Sequence, residues 1–151
     1  MRVRVMLYSR MTRPITIPLK QRTGDGRCVS FAVAMMTGST PEEFEAFVST
    51  MPVWGRPHPP YEDIHVYAYL LSRGILCGLG FTDEKPKDGV FKIRYDVMDH
   101  PAYVVVSGPS GITHAIYWDG TGIYDPDPNT RNGLSPNDYK ILLWVPIYSV
   151  K

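Results

Sequence analysis

Residues 28–37, CVSFAVAMMT, put apolar side chains on almost every side of a helix. A helix with one apolar stripe can lie on a surface, but one that is apolar all round has to be enclosed by the rest of its chain. This segment is therefore expected in the middle of the domain, with Gly38 as its left-handed C-terminal cap. It begins abruptly, directly after the turn-like TGDGR of residues 23–27, and its first residue is Cys28.

The flanking patterns say what encloses it. In STPEEFEAFV, Thr40 is a cap, Pro41 suits the first helical position, and Glu42 and Glu43 suit the positive end of the dipole. Glu43 also stands at the capping-box offset from Thr40. MPVWGRPHPP, 51–60, is too rich in proline for regular structure. YEDIHVYAYLLSRG, 61–74, reads as a third helix, with Ile64, Val66, Tyr67, Leu70 and Leu71 offered to the core and Gly74 as its stop. Beyond residue 74 the period changes: ILCGLGF, AYVVVSG, THAIYWDG, GIYDP and ILLWVPIY are short strand-like runs between turns. RVRVMLY, 2–8, alternates like a strand, and PITIPL, 14–19, reads as a short edge segment because Pro14 and Pro18 interrupt any ladder. The polar stretch 82–100, with a turn at Lys87–Asp88–Gly89, reads as a loop. Helices first and strands after predict an α+β fold, with N-terminal helices packed on a mostly antiparallel C-terminal sheet. The 151 residues suit one domain spanning 1–151.

The bulk numbers exclude several partners. With 44% apolar residues, 21% charged and a net charge of +1, the chain has an ordinary globular composition and no electrostatic footprint for nucleic acid or an anionic membrane. Arginines at 2, 4, 10, 13 and 22 read as a solvated face. No run approaches the roughly 20 apolar residues of a membrane helix. The N-terminus lacks the apolar core of a secretory signal, so a cytoplasmic location is expected. In that compartment Cys28 and Cys77, the two cysteines, are expected as free thiols. His58, His65, His100 and His114 are scattered and no CxxC occurs, so neither a metal nor another cofactor is expected. Cys77, within ILCGLG, reads as a core residue.

A free cysteine is usually an inert small core residue. Cys28 has a special position, because the first amides of a helix are unpaired and the dipole is positive there, which favours thiolate over thiol. Arg27 beside it adds a positive charge. A base is available in THAIYWDGTGIYDPDP, where Asp119–Gly120 marks a hairpin turn. A two-residue loop sets His114 opposite Asp125, and a four-residue loop over 119–122 sets it opposite Asp127; either register brings a carboxylate to the imidazole. Thiol, imidazole and orienting acid are the parts of an activated nucleophile. The oxyanion formed by attack on a carbonyl needs donors, and the Cys28 N–H and the Gln21 side-chain amide are candidates.

QRTGDGRCVSFAVAMMTG, THAIYWDG and YDPDP, in this order, resemble the papain-like cysteine peptidases, closest to the leader peptidases of bacteriocin exporters. The resemblance covers about residues 21–48 and 101–128. It implies a papain-like fold with Cys28 as nucleophile, His114 as general base and then acid, Asp125 as orienter, Gln21 as oxyanion donor, and a protein or peptide substrate. It also implies a small stand-alone version of the kind found in bacteria and their phages. Two departures stand out: Gln21 is one residue farther from the cysteine than the family spacing, and Val29 stands where that branch often has Gly. The same three residues on such a fold also serve transfer and deamidation. A binding or inhibitor module is the non-enzymatic alternative, with the basic N-terminus, Trp54 and Trp118 as its contact surface.

Overall fold

A computed structural model of the chain describes residues 16–22, 26–51, 61–81, 99–108 and 111–149. The expected strand over 2–8, nearly all of the 51–60 loop including Trp54, and residues 82–98 of the 82–100 loop lie outside the described residues.

Helix α1 runs over Cys28–Thr37 and is enclosed as its composition requires: Ala32, Val33 and Ala34 are wholly buried, and Met35 and Met36 nearly so. Gly38 ends it at φ 66°, a conformation that costs a glycine nothing, and the Gly38 amide donates back to Ala34 O. Helix α2, Pro41–Ser49, has the full capping box: Glu43 N donates to Thr40 Oγ1 and Thr40 N donates to Glu43 Oε2. Such a cap contributes about 1 kcal/mol.

Helix α3 is Asp63–Ser72, and its buried stripe differs from the expected one. His65, Val66, Tyr69 and Leu70 face inward, whereas Ile64 and Leu71 are exposed. The cause is His65. Its Nδ1 accepts the Glu62 amide while its own amide donates to Glu62 O, so the ring is engaged in the helix start and turned into the core. That rotation carries Tyr69 inward, where it packs edge-on against Phe44 and Phe47 of α2.

Strands β1 (Ile75–Cys77), β2 (Ala102–Ser107), β3 (Thr113–Trp118), β4 (Ile123–Tyr124) and β5 (Ile141–Ser149) form one sheet of order β1-β5-β2-β3-β4, and every pairing is antiparallel. The described chain is thus α+β, with three helices followed by a five-stranded antiparallel sheet. Alternation sorts the side chains. Tyr103, Ala115, Tyr117, Val145 and Ile147 join the helices in one core, while Val104, Val106, Ile116, Trp118, Ile123 and Trp144 build a second core on the other face. Trp118 is therefore buried against Trp144 and cannot serve a contact surface.

Residues 16–19 form no strand, contrary to the edge-segment expectation. Pro18 has no amide to give a ladder, and the amides after it go elsewhere: Leu19 N donates to Met35 Sδ and Gln21 N to Pro126 O, 2.9 Å away. The segment is a strap laid between α1 and the turn that follows β4. Among the described residues, no helix is long and apolar enough to cross a membrane.

Candidate active site

The hairpin after β3 has the four-residue loop. Trp118 pairs with Ile123 and Tyr117 with Tyr124, and Asp119 N donates to Gly122 O. The Asp119 carboxylate selects this loop by accepting the amides of both Thr121 and Gly122. Continued, that register would set Asp127 opposite His114. The ladder stops after two pairs, however, and the chain leaves it at Asp125 before turning at Pro128–Asn129, so the diagonal neighbour Asp125 reaches the ring. His114 Nε2 donates to Asp125 Oδ1 at 2.6 Å. Asp127 instead holds the turn: its carboxylate accepts from Asn129 N and Thr130 Oγ1, and its amide donates to Asp125 Oδ1 at 2.8 Å.

The early end of β4 also seats the thiol. Before Tyr117 the outer edge of β3 has no β4 partner, and Cys28, the first residue of α1, lies against the Ala115 amide. The Cys28 thiol faces the His114 ring and the backbone N–H groups of Ala115 and Val29, near enough for each to draw its pKa down. With Nε2 given to Asp125, Nδ1 is the ring nitrogen left for sulfur. Arg27, the N-cap residue, makes no side-chain cap, so the first-turn amides of α1 keep their donors clear of a capping side chain.

The electrostatics follow from these contacts. Burial is the largest influence on Cys28 and pushes its pKa up. The His114 hydrogen bond, the Ala115 amide, the imidazolium charge and the Val29 amide together outweigh it, so the thiol lies below its ordinary value. Burial pulls His114 down, but hydrogen bonds and charge from Asp125 and Cys28 raise it to about 9. Burial pushes Asp125 up, but His114, the Asp127 amide and Tyr139 hold it below the usual carboxylate range. Each of the three shifts favours the charged form of its group. Arg27 does not supply the charge expected of it. Its guanidinium is spent on Glu45 (2.6 Å) and Glu42 (3.0 Å) of α2, which fixes the start of α1 to its neighbour.

Three residues absent from the sequence-based set complete the site. Tyr139, just after a 3-10 turn at Pro136–Asp138, donates its hydroxyl to Asp125 Oδ2 at 2.8 Å. Asn132 Oδ1 accepts the Asp125 amide. Lys20 Nζ donates to Asp125 O (2.6 Å), Thr130 O (2.5 Å) and Asn132 Oδ1 (3.0 Å). Asp125 is 2% exposed, yet every polar atom it carries has a partner. Gly108 at the start of the β2–β3 turn matters for His114 as well. A Cβ there would lie 2.7 Å from Ile112 O and 3.4 Å from His114 Cβ, which explains a glycine at that point.

Gln21 lies on the strap with its amide donating to Pro126 O, one residue from Asp125, and its Oε1 is buried without a hydrogen-bond partner. Cys77 is half-buried on the helix side of the sheet, and burial alone raises its thiol to about 11. Among the described residues, no group of His, Cys, Asp and Glu side chains is arranged to hold a metal ion. No family model, curated protein or solved structure matches the chain.

Proposed function

We propose that the chain is a papain-like cysteine hydrolase that cleaves a peptide or isopeptide bond through an acyl-thioester at Cys28. The observation that carries this reading is the single imidazole of His114, bonded to a buried carboxylate 2.6 Å away and close enough to the Cys28 thiol that each shifts the other's pKa. A structural histidine needs neither a thiol partner nor a pKa raised to about 9.

In this mechanism the Cys28 thiolate attacks the carbonyl carbon, and the carbonyl π pair moves to oxygen. The Cys28 N–H, at the uncapped start of α1, and the Gln21 side-chain amide receive that oxyanion. His114 gives its Nδ1 proton to the leaving nitrogen as the C–N bond breaks. The same nitrogen then takes a proton from water, which attacks the thioester and returns the thiol. Asp125 stays ionised throughout, holding Nε2–H and compensating the imidazolium.

Labelling tests the reading. An electrophilic peptide or iodoacetamide at neutral pH should modify Cys28 selectively, and Cys28→Ala should abolish that labelling. Modification spread equally over Cys28 and Cys77, or seen only at strongly alkaline pH, would overturn it. Mass spectrometry of protein substrates after incubation then separates cleavage from deamidation and cross-linking.

A further inference from the structure

Cys28, His114 and Asp125 come from α1, β3 and the turn after β4, but the proposed oxyanion donor comes from the strap, which has no secondary structure of its own. A donor must be held within a few tenths of an ångström to favour the transition state over the bound substrate. What holds Gln21 is therefore a question the fold has to answer. Its own amide donates to Pro126 O, and Leu19 N has only a thioether sulfur as acceptor. Ile17 and Pro18 before them are exposed.

Leu19 packs against the helix-side core, and the strongest polar grip among the described residues is Lys20. An ammonium has three donors and no acceptor. Here all three are used, on Asp125 O, Thr130 O and Asn132 Oδ1, and the last of these also accepts the Asp125 amide. Two main-chain carbonyls and a side-chain carbonyl converging on one nitrogen form a built socket in the turn that carries the acid. The Asp125 carboxylate also has holders of its own, the Asp127 amide and the Tyr139 hydroxyl.

We propose that Lys20 is a positioning residue for acyl transfer: by docking in the Asp125–Asn132 turn it holds Gln21 over the Cys28–His114 pair. This rests on the cysteine-hydrolase reading, and it predicts a split that a purely structural lysine would not produce. Alkylation by iodoacetamide displaces iodide from carbon and forms no oxyanion. Acylation by p-nitrophenyl acetate forms the sulfur–carbon bond, places a charge on the carbonyl oxygen, and then expels p-nitrophenolate. Only the second reaction needs Gln21.

Both rates at Cys28 would be measured at neutral pH in the full chain, as alkylated mass and as the p-nitrophenolate burst, for the wild type, Lys20→Met, Gln21→Ala and the double variant. Acylation should fall about a hundredfold in Gln21→Ala and roughly tenfold in Lys20→Met, with the double variant no slower than Gln21→Ala. Alkylation should stay within about twofold in Lys20→Met, since the thiolate pair is held by other contacts. Unchanged acylation in Lys20→Met, or an equal fall in both reactions, overturns the proposal while leaving the thiolate reading intact. Wild-type Cys28 that alkylates no faster than an ordinary thiol overturns the hydrolase reading and this proposal with it. If Lys20→Met does not fold, Lys20→Gln, which keeps a polar head but cannot fill three acceptors, carries the same expectations.

Discussion

Cys28 and Cys77 are both half-buried thiols packed against the same helix-side core, yet one is pushed below its ordinary pKa and the other up to about 11. Burial acts in the same direction on both. The difference lies in what each sulfur meets: Cys28 meets an imidazole and two backbone amides, while nothing offsets burial at Cys77. Position in a sequence or depth in a core therefore says little about a thiol; the donors aimed at it decide.

The sharpest way to break this contrast is His114→Ala. Cys28 then loses its main compensation, and its alkylation rate at pH 7 should fall roughly hundredfold, toward that of Cys77. The pH dependence follows from the same groups. Thiolate reactivity should persist on the acid side of an ordinary thiol's range, and hydrolysis should decline as pH rises through about 9, where His114 gives up its proton. The sign for stability is the same. His114 is raised above its unfolded value, so its contribution is fully present below about pH 6.5 and is lost as pH climbs through about 9. Thermal melts of wild type and His114→Ala between pH 6 and 10 should converge at the alkaline end.

Gly108→Ala should have the next largest effect, since the new methyl presses on Ile112 O and on His114 Cβ. A loss of about 1–3 kcal/mol in a denaturant melt, with slower alkylation of Cys28, is expected. Tyr139→Phe removes one of the three bonds to the Asp125 carboxylate and should slow acylation a few-fold, because Oδ1 keeps both of its partners. At the small end, Cys77→Ala should change Cys28 reactivity by less than about twofold, since Cys77 is absent from the influences on it. Asp127→Ala is equally instructive. It keeps the amide that Asp125 uses, so alkylation that fell as far as in Asp125→Asn would reassign the acid.

Helix α1 and the cap of α2 were legible to the residue, because Gly38, Thr40 and Glu43 act through local geometry. The identity of the acid was legible only as a choice between Asp125 and Asp127. Turn length alone points to Asp127, and the answer depends on where β4 stops pairing, which no local pattern encodes. Ile64 and Leu71 were misread as core because α3 is apolar on more than one side, so the buried stripe was set by the capping role of His65 rather than by hydropathy. Lys20, Asn132 and Tyr139 carry no local signal at all. Each is an ordinary polar residue that becomes part of the site through contacts across the fold.

The two-residue length of β4 has a consequence for when the site exists. Cys28 precedes His114 and Asp125 in the sequence, so the thiol is made before its imidazole and carboxylate. A nascent or unfolded chain thus carries Cys28 as an ordinary, slow thiol, and the reactive form appears when α1 closes into the gap that β4 leaves along β3. On the proposed reading, the alkylation rate of Cys28 reports whether α1 has closed onto β3 in a refolding chain.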